Sequence, residues 1–134
     1  NVPMLSIVEA TTCEARRRQI KRPGLLGTNA TMNASFYPDA FKKHGMDLVV
    51  PTESEKDYIQ EKLFSEIELG IFNEKTHQGL SEIILAMKQR EGIDGIILGC
   101  TELSLILSEE LYHDLPVLDT TNIHIREIVE WCRG

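Results

Sequence analysis

The chain reads as an α/β protein built on a parallel sheet covered by helices on both faces. Three observations point there. Short apolar runs, such as residues 23–27 and 94–98, are nearly continuous rather than alternating, as strands buried on both faces are. Between them lie longer stretches whose apolar residues return with helical period, as in Leu80, Ile83, Ile84 and Met87. The order of the two kinds alternates along the chain, and at 134 residues it has material for one ordinary core. One domain spanning 1–134 is therefore expected.

The elements follow in order. Residues 2–10, with Met4-Leu5-Ser6-Ile7-Val8 at their centre, read as a first strand, after which Thr11 or Thr12 caps a helix through Arg16-Arg17-Arg18. Residues 23–27 read as a second strand, and Thr28 and Asn29 stand ready to cap a helix over 30–44 that Gly45 ends. Met46-Asp47-Leu48-Val49-Val50 reads as a third strand, stopped by Pro51. From Glu53 the period changes: Ile59, Leu63 and Ile67 share one face of a helix running to Leu69, ahead of Gly70. The helix carrying Leu80 to Met87 stops before Gly92. A strand over 94–98, a short helix from about Glu102, a strand over 117–119 and a terminal helix over 121–131 complete the pattern.

Composition narrows the function. With 21 acidic against 14 basic residues and a formal net charge of −7, the chain lacks the broad basic surface that phosphate neutralisation requires, so nucleic acid is not an expected partner. Arg16-Arg17-Arg18 with Lys21-Arg22 reads as a solvated helix end followed by a turn. No apolar run reaches the roughly 18 residues a membrane helix needs. Three cysteines do not make a disulfide framework, and a reducing cytoplasm suits them. His44, His77, His113 and His124 lack metal-ligand spacing, so no metal is expected, and no serine sits in a nucleophile elbow.

What remains is a set of polar strand ends. Ligands of open parallel sheets bind beyond the carboxyl ends of the strands, where this sequence places Thr28 to Thr31, Cys100 to Glu102, and Asp119 to Thr121. Gly95-Ile96-Ile97-Leu98-Gly99-Cys100-Thr101-Glu102 delivers a cysteine from a strand into the first turn of a helix. There the unpaired N–H groups lower a thiol pKa from its ordinary value of about 8.5. Cys100 is thus a candidate acid or base, although free cysteines also serve as buried filler. Glu102, two residues on, is placed to take a proton from the thiol or to orient an ammonium group. In Gly27-Thr28-Asn29-Ala30-Thr31, two hydroxyls, an amide and backbone N–H groups form a cradle for a carboxylate or phosphate, or simply a helix cap. Cys13 and Cys132 read as buried or incidental thiols.

Taken together, Gly27-Thr28-x-Ala30-Thr31-Met32, Val49-Val50-Pro51, Gly99-Cys100-Thr101-Glu102 and Pro116-Val117-Leu118-Asp119-Thr120 closely resemble the aspartate/glutamate racemase family over essentially the whole chain. Gly-Cys-Thr-Glu looks like its aspartate-type variant. The resemblance implies two similar α/β domains with a cleft between them, one catalytic cysteine from each, no cofactor, an acidic amino acid as substrate, and a homodimer. It makes this chain the second domain plus the C-terminal helix, with Cys100 and Glu102 catalytic and Thr28, Asn29, Thr31 and Thr101 substrate-binding. The family's first cysteine lies in a Cys-Asn-Thr-like segment upstream of the matched region. Cys13 does not stand in that context, so the N-terminal domain is expected as the missing partner and the chain alone is expected to be a weak racemase or inactive. Two alternatives stand beside this reading: a single-cysteine decarboxylase or isomerase of the same superfamily, and a noncatalytic carboxylate-binding module.

Overall fold

The computed structural model describes residues 4–99, 102–109 and 111–119. Among the described residues four strands form one sheet in the order β1-β2-β4-β3: β1 (Pro23–Leu26), β2 (Gly95–Leu98), β3 (Leu111–Tyr112) and β4 (Leu115–Asp119). β1 runs parallel to β2 and β2 parallel to β4, whereas the short β3 is antiparallel to β4.

Side-chain alternation along the strands divides the core into two layers. Leu25, Ile97 and Leu118 face one side, where they meet Val8 and Ala15 of α1 (Met4–Arg17) and Tyr37, Ala40 and Phe41 of α3 (Phe36–Lys43). Leu26, Ile96 and Leu98 face the other. There they join Ile59 and Leu63 of α4 (Glu53–Ser65), Leu80, Ile84 and Met87 of α5 (Glu74–Glu91), and Leu103 and Ile106 of α6 (Leu103–Ile106). The sheet is thus covered on both faces, as the continuous apolar runs require.

Several elements differ from the sequence reading, each for a physical reason. The expected first strand is α1. Val8, Thr11, Thr12 and Ala15 are all fully buried, and their spacing is that of one helical face. The threonines belong to that face instead of capping it, and the Thr12 hydroxyl is satisfied within the helix by donating to the Glu9 carbonyl at 2.7 Å. Cys13, on the same helix, is exposed.

The helix expected over 30–44 is two helices, α2 (Asn29–Asn33) and α3, separated by an extended Ala34 (φ −72°, ψ 150°). Pro38 accounts for the break. It has no N–H to give the Ala34 carbonyl, and its ring would crowd that carbonyl in a continuous helix, whereas it fits in the first turn of α3. The expected third strand is reduced to one bridge, Val49 to Gly24, closed by Leu25 N–H to Val49 O at 2.9 Å and Val49 N–H to Pro23 O at 2.8 Å. The helix expected to reach Leu69 ends as α4 at Ser65, and a 3-10 turn over Ile67–Leu69 precedes Gly70, whose φ of 80° terminates it. The basic run behaves as a solvated helix end: Arg17 and Arg18 pair with Glu14, while Arg22 reaches Asp47 and Glu91. The expected terminal helix lies outside the described residues. No described helix is long and apolar enough to cross a membrane.

Candidate functional site

Leu26, Leu98 and Asp119 stand in one row across the sheet, each at the carboxyl end of its strand. The Gly99 N–H donates to the Leu26 carbonyl at 2.8 Å, holding the ends of β1 and β2 together one residue past the strands. Three of the segments singled out from sequence therefore begin side by side. Cys100, Thr101, Thr120 and Thr121 lie outside the described residues, so the structure gives the approach to them and not their side chains.

The threonine cradle is fully described. Thr28 caps α2 with extended backbone (φ −72°, ψ 164°), and its hydroxyl oxygen accepts the Thr31 N–H at 3.2 Å. The same hydroxyl donates to Thr31 Oγ1 at 3.1 Å. With its oxygen so engaged, the Thr31 O–H keeps a proton to offer outward. A Cβ placed on Gly99 would lie 3.1 Å from Thr31 Cγ2, and one on Gly27 would lie 3.2 Å from the same methyl. Glycine at both positions lets Thr31 rest directly against the residue that precedes Cys100, which brings the hydroxyl pair to the threshold of the thiol segment.

Asn29, the first residue of α2, donates its N–H across the fold to Gln60 Oε1 of α4 at 2.8 Å. Its own Oδ1 is buried and accepts no hydrogen bond from any described residue. Glu102 is half-buried at the start of α6, with helical backbone (φ −65°, ψ −30°) in place of a capping conformation. A carboxylate here stands at the N-cap position, just ahead of the first helical turn, where negative charge is favoured. Beside the ends of β2 and β4 opens a cavity of about 570 Å³, with Leu98, Ser104, Ser108 and Asp119 among its walls. Among the described residues, no group of three or more His, Cys, Asp or Glu side chains is gathered to hold a metal ion.

The sequence reading missed the contribution of α4. Lys56 Nζ donates to Asn33 Oδ1 at 2.8 Å, so α4 reaches both ends of the short α2, with Gln60 at its first residue and Lys56 at its last. The signal was present. Lys56, Ile59, Gln60 and Leu63 recur at i, i+3, i+4 and i+7, which puts two polar residues on the buried stripe of α4.

The chain is similar to known proteins in sequence and in fold. The structure of an aspartate racemase homologue from Pyrococcus horikoshii OT3 is 36% identical and superposes with a TM-score of 0.89, covering 100% of this chain and 58% of that one. A glutamate racemase from Parafrankia sp. (strain EAN1pec) is 34% identical over 109 residues, 79% of this chain and 37% of its own length. A protein encoded in the pnlA 3′ region of Pectobacterium carotovorum subsp. carotovorum is 30% identical over 132 residues, 96% of this chain and 84% of its own. The chain thus spans little more than half of the solved relative and less than half of the glutamate racemase. The family model for Asp/Glu/hydantoin racemases matches residues 1–128, and the chain belongs to that family.

Proposed function

We propose that this chain is the C-terminal catalytic half of a cofactor-independent racemase acting on aspartate, glutamate or a related acidic amino acid. The observation that carries the reading is the close approach of Thr31 to Gly99, which brings the Thr31 hydroxyl, held by the bond it accepts from Thr28, to the residue leading into Cys100. Thr28, Asn29, Thr31 and Thr101 form the carboxylate contacts. A Thr31 hydroxyl fixed before the substrate arrives binds the carboxylate without the cost of being ordered at that moment.

Cys100, as thiolate, takes the α-proton. The Cα–H bond breaks, its electron pair delocalises into the adjacent carboxylate, and a second thiol on the opposite face returns a proton to Cα. The product is the other enantiomer, and the two thiols have exchanged protonation states. Glu102 tunes Cys100 or holds the substrate ammonium group. The second thiol belongs to a first domain that this chain does not include, so the chain alone racemises poorly or not at all. Phe64 in the last turn of α4 and Leu69, Ile71 and Phe72 in the connection to α5 are exposed, and a first domain resting on that edge would cover them. A reducing cytoplasm suits the free thiols.

The test follows L- and D-aspartate and glutamate in D2O by NMR and polarimetry, using the protein at its full natural length. Loss of the α-proton with formation of the opposite enantiomer is expected, and Cys100→Ala should reduce it by about 10²-fold or more. Racemisation that survives this substitution overturns the assignment of Cys100. A lack of exchange with every acidic amino acid overturns the substrate class.

A further inference from the structure

We infer that Gln60 is a positioning residue of the racemase site, holding the Thr28–Thr31 turn against Gly99 through the Asn29 backbone. The inference rests on the substrate reading proposed above for its functional consequence, but its structural core is independent of that reading.

The argument begins with α2. Five residues make too short a helix to hold its own shape, because the first turn fixes three residues' torsions for a single hydrogen bond. That first bond, Met32 N–H to Thr28 O, measures 2.9 Å. Asn29 and Thr31 are among the opening residues whose N–H groups find no acceptor inside the helix. Thr31 is served locally by Thr28 Oγ1. Asn29 is served by Gln60, 31 residues away in sequence, from a helix anchored in the core by Ile59 and Leu63, both fully buried. The Lys56 ammonium, on a side chain 10% exposed, secures the far end of α2 through Asn33.

Two points on α4, one helical turn apart, therefore grip α2 at Asn29 and Asn33, with the Thr31 hydroxyl between them and Thr28 one residue before the first. Without Gln60, the Asn29 N–H loses its acceptor and the Thr28–Thr31 turn is free to rotate away from Gly99. Gln60 makes no claim on the chemical step. Its removal should weaken binding of the substrate carboxylate more than it slows turnover.

The experiment compares wild type with Gln60→Leu, which removes the acceptor at similar size, and Gln60→Glu, which keeps an oxygen at the same reach. Amide hydrogen exchange is read by NMR at Asn29, Leu25 and Gly99, alongside KM and kcat for aspartate in the protein at its full natural length. Gln60→Leu is expected to speed exchange at Asn29 and leave Leu25 and Gly99 unchanged. It should raise KM about fivefold, the worth of one net hydrogen bond, with kcat within twofold. Gln60→Glu should restore protection at Asn29.

Unchanged exchange at Asn29 in Gln60→Leu overturns the inference. So does exchange that rises equally at Leu25 and Gly99, since Gln60 would then be a general stabiliser. Local loosening with unchanged KM in an active wild type overturns the positioning role. If wild type acts on no acidic amino acid, the substrate reading fails, and exchange at Asn29 still decides whether Gln60 holds the turn.

Discussion

Arg90, in the last turn of α5, closes on Glu55, in the first turn of α4, with two guanidinium nitrogens at 3.0 and 3.3 Å from its two carboxylate oxygens. Glu55 also accepts the Thr52 N–H at 2.9 Å, completing a capping box with the Thr52 hydroxyl. Burial pushes the Glu55 carboxyl up, but the hydrogen bonds from Arg90 and Thr52 outweigh it and hold the group below the usual range. Hydrogen bonds from Thr76 and Lys62 hold Glu66 low as well. A carboxyl depressed in the folded state adds stability above its unfolded value of about 4.3, and that stability is lost as pH falls through the folded value.

Acid should therefore destabilise the α4–α5 pair, and Glu55→Gln isolates one contribution. Glutamine keeps a capping oxygen and loses the ion pair. The expected cost at pH 7 is about 0.5 kcal/mol. Urea unfolding of both proteins at pH 7 and at pH 3 checks this, because the gap should close once Glu55 is protonated. An undiminished gap at pH 3 would assign the effect to packing.

How much of this was legible in the sequence depends on where the determining contact lies. β1, β2 and α5 were readable because their patterns are local: continuous apolar runs, and Leu80 to Met87 returning every three or four residues ahead of Gly92. α1 was not, because its buried stripe includes Thr11 and Thr12, whose hydroxyl type favours a cap reading until the pairing of Thr12 with the Glu9 carbonyl is seen. β3 gave no signal, since the turn that joins it to β4 uses His113 and Asp114 at positive φ where glycine or asparagine would mark it. At the site, the threonine cradle was local and visible. Its restraint by Gln60 and Lys56 depends on contacts 31 and 23 residues distant: the spacing within α4 marks two polar residues on the buried stripe but does not name the partners they reach.

Asp94 spans two consecutive N–H groups, those of Lys21 and Arg22, each at 2.8 Å, and so ties the approach to β1 to the approach to β2. Both bonds are charge-assisted. Asp94→Ala should cost about 2 kcal/mol, discounted because the Lys21 contact is exposed, and Asp94→Asn should recover part of it through its remaining carbonyl oxygen. Denaturant titration of the two variants gives the order. An alanine variant as stable as wild type would show that water replaces the carboxylate without loss.

Gly99→Ala tests the close approach at the site. The new methyl would meet Leu25 Cδ1 and Thr31 Cγ2, each 3.1 Å away, in a wall where Leu25 is fully buried. Overpacking of this kind costs about 1–2 kcal/mol, and Thr31 has to move. The expected outcome is lower stability together with weaker binding of acidic amino acids. Thr31→Ser, which removes the opposing methyl and keeps the hydroxyl, should return part of both losses in the double variant. Thermal melts with a ligand titration check it, and strictly additive losses would show that the two side chains do not press on each other.

Asp114→Gly should stabilise the protein. His113 and Asp114 both adopt left-handed backbone, φ 53° and 68°, at the tip of the β3–β4 hairpin. Side chains disfavour that region, aspartate less than most, so glycine should gain about 0.5 kcal/mol after its greater unfolded-state freedom is set against the relief. The hairpin is held to α5 by contacts that do not use the Asp114 side chain. His113 Nε2 lies 3.0 Å from the Ser81 carbonyl, Lys88 Nζ donates to the His113 carbonyl at 2.7 Å, and His77 meets the Tyr112 hydroxyl at 3.1 Å. β4 ends at Asp119, on the far side of β2 from the threonine cradle, so a firmer hairpin should raise the melting temperature and leave ligand affinity unchanged. Asp114→Val is the opposing control: a β-branched residue at this φ should lower the melting temperature. Equal melting temperatures for the glycine and valine variants would mean that the turn is not held in the left-handed region in solution.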